Sequence, residues 1–474
     1  MDTVVYPPPE KLVAAPAGWG AEFRATLALA WPLVLANLSQ TAIYATDVLL
    51  IGKLGATELA ASALATNLIS VLLFTGTGLV TAVAPLVASE LGARSNSVRE
   101  VRRSVRMGLW AAILFALAGW LLLWNVEWIL VRLLGQDPVL AAHSAEFMRW
   151  LQWSLLPAMG IVVLRIFVAA LGKPLWALLV VLIGVGVNAA LNWALIFGHW
   201  GFPALGLQGS GIASTLTTTF MFLVLAAIVL LQRNFRRYHI FGRFFRWDGE
   251  RLREIFRLGT PIALTLAFEV TVFSAAVMLM GLINTTSIAA HAVALQLAAI
   301  SFMVPLGISQ ATTIRVGMAY GAKDHEWITR AGWASFVLAM GFMAVAAAIM
   351  WLFPRELVGL FVDVTKPGNP EVFALAVSFL GVAAIFQLAD GAQVVGAAML
   401  RGLHDTTIPM IYAGLGYWLV GLGSGAGLAF WAGWEGVGVW TGLALGLTAV
   451  SIMMLTRWSR RQRLGLLPSS QLRP

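Results

Sequence analysis

The sequence predicts an all-α integral membrane protein whose helices form two similar bundles. Three observations support this fold class: an apolar excess, about twelve apolar blocks of spanning length, and a repeat that aligns the two halves of the chain. Hydrophobic residues make up 59% of the 474 residues and charged residues 11%, whereas a soluble domain carries about a quarter of its residues as charged ones. We therefore expect most of the apolar surface to face lipid.

The apolar residues form long runs, such as 109–124 and 223–231. In lipid every backbone amide must be hydrogen-bonded within the protein, which excludes open sheets. Strands of a transmembrane barrel alternate apolar and polar residues over about ten positions, and these runs do not alternate. The pattern therefore predicts helices.

A spanning helix needs roughly 20 residues, and about twelve such blocks occur. Their approximate limits are 27–51, 59–87, 105–125, 147–171, 174–198, 210–232, 259–283, 287–314, 331–353, 372–400, 407–431 and 437–457. The predicted divisions are a cytoplasmic N-terminal tail (1–25), an N-lobe of six helices (26–232), a basic cytoplasmic linker (233–258), a C-lobe of six helices (259–457) and a cytoplasmic C-terminal tail (458–474). The first tail contains Pro7-Pro8-Pro9 and lacks the pattern of a cleaved signal peptide, so we expect it to be disordered.

Basic residues lie mainly on one side of the predicted membrane. With the N-terminus inside, 25 of the 31 Lys and Arg fall in cytoplasmic segments, and this bias predicts that both termini are cytoplasmic. Anionic lipid headgroups then explain the net charge of +9, and no nucleic-acid partner is expected. Arg315 and Arg401 are interpreted as anchors at helix ends.

The two halves align when the chain is shifted by 229 positions. Residues that bend or pack helices coincide at this shift, namely Pro32 with Pro261, Gly78 with Gly307 and Gly92 with Gly321. Six helices per half return the chain to its starting side, so the repeat is parallel, with an axis along the membrane normal. Two bundles related in this way leave a central cleft between them.

Three acidic residues fall inside predicted spans: Asp47, Glu269 and Asp390. A charge near the bilayer centre costs about 3 kcal/mol, so such a residue normally faces a cavity or a partner. Glu269 aligns with Gln40 in the repeat, so only the second half is ionisable at this position. The two lobes are therefore expected to do unequal work.

A carboxylate shielded from water can bind and release a proton near neutral pH, help to coordinate Na⁺, or pair with an organic cation. Candidate polar neighbours are Asn188 and Asn192 for Asp47, Thr265 and Thr271 for Glu269, and Gln387 and Gln393 for Asp390. The alternative is that these side chains only hydrogen-bond one helix to another.

Several chemistries are excluded or unsupported. The chain has no cysteine, and its six histidines are scattered without the spacing of metal ligands. A phosphate-binding loop ending in Lys-Ser or Lys-Thr is absent. We therefore expect no enzyme activity and no cofactor, and the energy for transport would come from an ion gradient or from a partner.

Several short motifs, in order along residues 25–457, resemble the multidrug and toxic compound extrusion (MATE) transporters, in their NorM-like branch. The motifs are Gln40 with Tyr44-Ala-Thr-Asp47, Asn188-x-x-x-Asn192, Phe268-Glu269-Val-Thr271, Ala289-Ala-His291-x-Val-Ala-Leu-Gln296, Ser309 through Gly317, and Asp390-x-x-Gln393 through Arg401-Gly.

The resemblance implies two six-helix lobes around a V-shaped cleft in a bacterial inner membrane, working as a monomer. It implies export of cationic amphipathic drugs and dyes in exchange for H⁺ or Na⁺. Glu269 and Asp390 match acids that bind the coupling cation, and they would be the metal ligands if that cation is Na⁺. Asp47 matches a first-lobe acid that acts in coupling or drug binding. The substrate-binding residues implied are Asp47, Gln40, Asn188, Asn192 and Gln296.

One residue bears on the choice of ion. Phe386, one turn before Asp390, offers no oxygen where a tyrosine would, which slightly favours H⁺.

Two other functions stay open. A flippase for lipid-linked sugars would need many basic groups within the membrane, and only Arg165 is a candidate. A channel would favour a continuous polar pore.

Overall fold

The computed structural model describes residues 15–93, 97–242, 244–366 and 368–469. Within these residues the regular structure is helical and no strand occurs. Residues 1–14 of the predicted N-terminal tail and 470–474 of the C-terminal tail lie outside the described residues. The all-α prediction is confirmed.

Among the described residues, twelve helices are long and apolar enough to cross a membrane, which confirms the predicted number. We label them α1 (Trp19–Gly52), α2 (Ala56–Ala93), α3 (Ser97–Leu123), α4 (Pro138–Ala170), α5 (Leu175–Phe197), α6 (Gly206–Leu231), α7 (Gly249–Ile283), α8 (Thr285–Gly321), α9 (His325–Leu352), α10 (Asn369–Gly402), α11 (Thr407–Trp431) and α12 (Glu435–Ser459). Shorter helical segments are Val126–Trp128, Ile129–Leu133, Arg233–Arg236 and Pro354–Gly359.

The first helix of each lobe is longer than predicted. Helix α1 begins at Trp19, inside the predicted tail, and α7 begins at Gly249, inside the predicted linker. Asp248 starts α7 by accepting a hydrogen bond from the backbone N–H of Arg251, the usual role of an N-cap aspartate. Apolar length alone does not reveal these polar extensions, because they lie beyond the lipid-facing part of the helix.

Helix α11 departs from regular α geometry. Leu415–Leu422 and Gly427–Trp431 have π-helical hydrogen bonding, in which each N–H bonds to the carbonyl five residues back. Glycines within and between these segments bring the α11 and α12 backbones close together: Gly421 faces the Cα of Gly446, and Gly425 faces the Cα of Gly442. The glycines in this region therefore serve close helix packing.

The same helix pairs pack together in both lobes. In the first lobe α1 contacts α5, α2 contacts α4, and α6 contacts both α4 and α5. In the second lobe α7 contacts α11, α8 contacts α10, and α12 contacts both α10 and α11. Each pair in the second lobe is a pair of the first lobe advanced by six helices, which confirms the parallel repeat.

Both ends of the described chain lie on one side of the bundle, here called the terminal side, because twelve crossings return the chain to the side where it started. The lobes meet in this half through glycines that face backbone of the opposite lobe. The contacts are Gly78 with Ala263, Gly307 with Val34, Gly92 with Met318, and Gly321 with Ser89. Replacing each residue by its repeat equivalent in the other lobe, 229 positions away, converts the first contact into the second and the third into the fourth. A two-fold axis between the lobes requires this relation.

A buried ion pair reinforces this seam. Arg315 of α8 donates to both carboxylate oxygens of Glu22 of α1, at 2.9 and 2.7 Å. The Trp327 indole N–H of α9 donates to the same carboxylate at 3.1 Å, and Glu22 is fully buried. The prediction that Arg315 is only a helix-end anchor is therefore wrong, because its partner lies 293 positions away in the sequence.

A second ion cluster lies at the equivalent place with reversed charge. Arg251 of α7 occupies the repeat position of Glu22 and donates to Glu90 of α2 and Glu100 of α3, each at 2.9 Å. In one cluster the first helix of a lobe supplies the acid, and in the other it supplies the base. We call the Glu22–Arg315–Trp327 and Arg251–Glu90–Glu100 groups the two latches.

We expect the substitution Arg315→Gln to lower the unfolding free energy by about 3–5 kcal/mol, because it leaves the Glu22 charge buried without its partner. The measurement is the midpoint of thermal unfolding of the purified protein in detergent. Arg330→Gln is the matched control, since it breaks an ion pair to Glu326, whose side chain is 77% exposed, and such pairs contribute at most about 1 kcal/mol. Equal midpoints for the two variants would contradict a stabilising latch.

Candidate functional site

Asp47 of α1 lies at the centre of a polar cluster in the first lobe. Asn188 and Asn192 of α5 donate to its Oδ1 at 2.9 and 2.8 Å. Ser214 of α6 donates to its Oδ2 at 2.9 Å. The expectation that the two asparagines lie beside Asp47 is confirmed. We call these four residues the N-lobe cluster.

The helical spacing explains why the asparagines converge. Asn188 and Asn192 are one turn apart and therefore share a face of α5, and both side chains are fully buried. Asn192 also donates to the backbone carbonyl of Asn188 at 3.0 Å. Both oxygens of Asp47 are thus occupied by neutral donors, which hold the carboxyl group in a fixed orientation without adding a charge of their own.

Ser214 was missed by the sequence analysis. Serine is common between membrane helices, and Ser214 has no acidic neighbour along its own helix that would single it out. Its position in α6 opposite Asp47 follows from the packing of α6 on α5 and α1, which one helix alone does not reveal.

Glu269 of α7 and Asp390 of α10 form the centre of a second cluster. The two carboxyl groups interact electrostatically, and Glu269 also interacts with the Arg401 guanidinium near the end of α10. Asp390 is only 5% exposed. The structure thus brings together the two second-lobe acids, and it places Arg401 within electrostatic range of Glu269 without a direct ion pair.

The hydrogen-bonding capacity of Asp390 is only partly used. Gln393 lies within hydrogen-bonding reach of the Asp390 carboxyl group. The buried Oδ1 of Asp390 nevertheless has no hydrogen-bond partner among the described residues. Gln387 instead donates to the carbonyl of Ala298 at 3.1 Å. A buried carboxylate oxygen without a donor is unusual, and it is free to bind a cation or a proton.

The threonines predicted beside Glu269 bond to their own helix. Thr265 donates to the carbonyl of Pro261 at 2.9 Å, and Thr271 donates to that of Ala267 at 2.6 Å. Their hydroxyl hydrogens are therefore directed at backbone rather than at the carboxylate, and only lone pairs of these hydroxyls remain for other contacts.

Tyr417 is a member of this cluster that the sequence analysis missed. It lies in the first π-helical segment of α11 and is 1% exposed. Its hydroxyl has no hydrogen-bond partner among the described residues, and it interacts electrostatically with both Glu269 and Asp390. We call Glu269, Asp390, Arg401 and Tyr417 the C-lobe cluster.

Aromatic rings enclose the C-lobe cluster. Phe386, one turn before Asp390, packs edge-on against Phe273 and Trp440, with ring centroids 6.1 and 5.5 Å apart. Trp440 in turn lies 5.3 Å from the ring of His291. The phenylalanine is therefore part of an apolar wall, and the phenol oxygen of the cluster comes from α11.

Gln40 and Gln296 are both exposed. In the described part of the chain neither forms a hydrogen bond with either cluster. Their predicted role in substrate binding therefore stays a prediction. Within the same residues no group of three or more His, Asp and Glu side chains is placed to hold a metal ion, so a bound cation would rely on two carboxylates and neutral oxygens.

Comparison with known proteins identifies the family. A model of the MatE family matches residues 32–194 and 261–425. The chain belongs to the MatE family. Its two matching segments begin 229 residues apart, the same separation as in the sequence repeat. Members of this family are transporters rather than enzymes, which confirms the resemblance and the expected lack of enzyme activity.

Close relatives of this MatE protein are bacterial. It is 54% identical to a probable multidrug resistance protein NorM of Mesorhizobium japonicum, over 94% of this chain and 95% of the relative. It is 52% identical to a probable multidrug resistance protein NorM of Brucella suis, over 93% and 94% of the two chains.

Solved structures share the fold. An outward-facing multidrug resistance MATE family transporter superposes with a TM-score of 0.86 at 19% identity, covering 98% of this chain and 99% of that chain. The eukaryotic MATE transporter AtDTX14 superposes with a TM-score of 0.83 at 21% identity, covering 95% and 100%. At these identities the likeness shows the fold, with two six-helix lobes around a cleft.

We expect Asp47→Ala to lower the unfolding free energy by about 2 kcal/mol, because three interhelical hydrogen bonds of roughly 0.6 kcal/mol each are lost. Asp47→Asn should retain most of that stability, since an amide oxygen can accept from the asparagines and the Ser214 hydroxyl can rotate to accept. The unfolding midpoint in detergent distinguishes the two variants. If alanine and asparagine gave the same midpoint as the unsubstituted protein, the cluster would not hold α1 to α5 and α6.

Proposed function

We propose that this protein is a secondary active multidrug efflux antiporter that exports cationic amphipathic drugs and dyes in exchange for H⁺ or Na⁺. The observation that carries the proposal is the C-lobe cluster, where carboxyl groups on two membrane-spanning helices interact. One oxygen of Asp390 has no hydrogen-bond partner among the described residues. Two nearby carboxylates repel each other, so a cation that enters between them relieves the repulsion. The names of the relatives, multidrug resistance proteins, support the drug half of the proposal.

The proposed cation site uses oxygens from three helices. Glu269 of α7 and Asp390 of α10 supply charge, and Tyr417 of α11 supplies a neutral hydroxyl. Carboxylate and hydroxyl oxygens suit hard cations such as Na⁺, and the same carboxylates can carry a proton. No cofactor is needed in either case. Dye efflux driven by a pH gradient or by a Na⁺ gradient, each imposed alone, distinguishes coupling to H⁺ from coupling to Na⁺.

The N-lobe cluster is the proposed attraction point for the drug. Asp47 is held as a fixed acceptor by three donors. Tyr44, one turn earlier on α1, is 54% exposed and offers a ring on which an aromatic cation can stack. Gln40 and Gln296 are exposed polar side chains within spans, and we include them with Asn188 and Asn192 in the proposed binding surface.

The way in which the lobes meet supports a mechanism of alternating access. The glycine contacts and both latches join the lobes on the terminal side, so in this conformation the cleft would open on the opposite side. We propose that cation binding in the C-lobe weakens the hold on the drug, which leaves outward. The lobes then rock apart on the terminal side and release the cation there.

We further propose a bacterial inner-membrane location with both termini in the cytoplasm, following the positive-inside bias, and function as a monomer. Each lobe supplies its own cluster from its own helices, so neither cluster needs a second copy of the chain.

Glu269→Gln and Asp390→Asn should each reduce gradient-driven dye efflux at least tenfold, because an amide neither releases a proton nor carries a negative charge that attracts Na⁺. The measurement is ethidium efflux from proteoliposomes with a pH gradient and a Na⁺ gradient imposed separately. Glu326→Gln serves as the control, since this residue lies on the exposed face of α9. Full efflux with full ion coupling in both cluster variants would contradict the antiport proposal, and dye flux without counter-transport would favour a channel.

Tyr417→Phe should raise the cation concentration for half-maximal efflux about tenfold, the effect of losing one hydrogen bond to a charged group. Maximal efflux at saturating cation should change little, since the carboxylates remain. Tyr412→Phe on the same helix is the control, because that hydroxyl pairs with Arg457 rather than with the cluster. An unchanged cation dependence in Tyr417→Phe would remove the phenol from the proposed site.

A further inference from the structure

Arg165 of α4 is a charged residue inside a span that neither cluster uses. Its guanidinium donates to the Asn37 Oδ1 of α1 at 3.2 Å. No ionised group among the described residues interacts with it, and arginine keeps its proton even when buried. The structure therefore holds one positive charge in the first lobe with only a neutral amide beside it.

Asn37 adds a second unused donor at the same place. Its side chain is 7% exposed, and its Oδ1 is the atom that accepts from Arg165. Its amide nitrogen is buried and has no hydrogen-bond partner among the described residues. Guanidinium and amide N–H groups are donors only, so what the pair still offers is positive charge and hydrogen-bond donors. That combination is complementary to a carboxylate.

Asn37 lies on α1 just beyond the seam where the two lobes meet. Asn37 comes one turn after Val34, which faces Gly307 of the opposite lobe in the seam. One turn further on, Gln40 is exposed, and an exposed polar side chain inside a span is expected to face a water-accessible cavity. Asn37 thus lies between the last backbone contact of the lobes and the first exposed polar residue beyond it.

We propose that Arg165 and Asn37 bind the carboxylate of those amphipathic substrates that carry one. The inference rests on the proposed efflux function. Asp47 lies ten residues further along α1, about 15 Å along the helix axis, and carries the opposite charge. The first lobe then offers separate attachment points for the anionic and cationic groups of one class of drug.

A matched pair of dyes tests the site. Rhodamine B is a zwitterion with a free carboxylate, and its ethyl ester is a cation with the same ring system. Arg165→Gln should raise the KM for efflux of rhodamine B from proteoliposomes about tenfold, the loss expected for a charge-assisted hydrogen bond. The KM of Arg165→Gln for the ester should stay within about twofold of that of the unsubstituted protein. Arg165→Lys keeps the charge, so its KM for rhodamine B should lie between those of the unsubstituted protein and Arg165→Gln. An equal change for both dyes, or no change for either, overturns the proposal.

Binding in detergent separates this inference from the efflux proposal. Fluorescence polarisation of each dye with the purified protein requires no transport. Selective loss of rhodamine B binding in Arg165→Gln, with ester binding retained, supports the site even if the reconstituted protein fails to transport, and the retained binding shows that the variant is folded. Normal efflux together with equal rhodamine B binding in the variant and the unsubstituted protein overturns the site and leaves the antiport intact.

Discussion

The bidentate pair between Glu22 and Arg315 is the interaction on which the arrangement of the lobes depends. In lipid, apolar side chains gain little by leaving the solvent for a neighbouring helix, so packing and polar bonds must hold helices together. Glu22 is fully buried, and a buried charge is costly without its partner. The latch is therefore either made as a unit or broken as a unit. The glycine contacts beside the latch are also either fully formed or absent, because the two backbones touch only when the helices are close together.

This constraint explains how the two clusters divide the work. The seam fixes the first helix of each lobe at its terminal-side end and leaves the other end within its own lobe. Asp47 lies near that other end of α1, where three donors saturate it. Asp390 retains an oxygen without a hydrogen-bond partner in the part of the chain that the structure describes. A saturated carboxylate keeps its orientation, whereas an unsaturated pair of carboxyl groups responds to an arriving cation. The difference in hydrogen bonding thus agrees with the asymmetry between Gln40 and Glu269 seen in the sequence.

Much of the fold and part of the site follow from the sequence, for a physical reason. The spans follow from runs of apolar residues, the repeat from a constant shift along the sequence, and the shared helix face of Asn188 and Asn192 from their spacing. The acids are conspicuous because charge within a span is rare. Arg315, Ser214 and Tyr417 were misjudged or missed because their roles depend on partners on other helices. The limits of α1 and α7 were misplaced because packing against the other lobe, rather than lipid, stabilises their polar ends. Tyr417 is the clearest case, since an isolated tyrosine in a span usually indicates an interfacial position.

The repeat also shows which positions are free to diverge. At the seam each glycine faces the main chain of the other lobe, and a Cβ there would meet atoms that no rotamer change can move. Both copies of the repeat therefore need glycine at the same register, as Gly92 and Gly321 show. An ion pair has no such restriction, because exchanging acid and base leaves the attraction unchanged. Glu22 and Arg251 occupy one register with opposite charge, and each still finds a complementary partner across the seam. Backbone contact thus preserves the two-fold geometry, and side-chain chemistry is left free to make the lobes different.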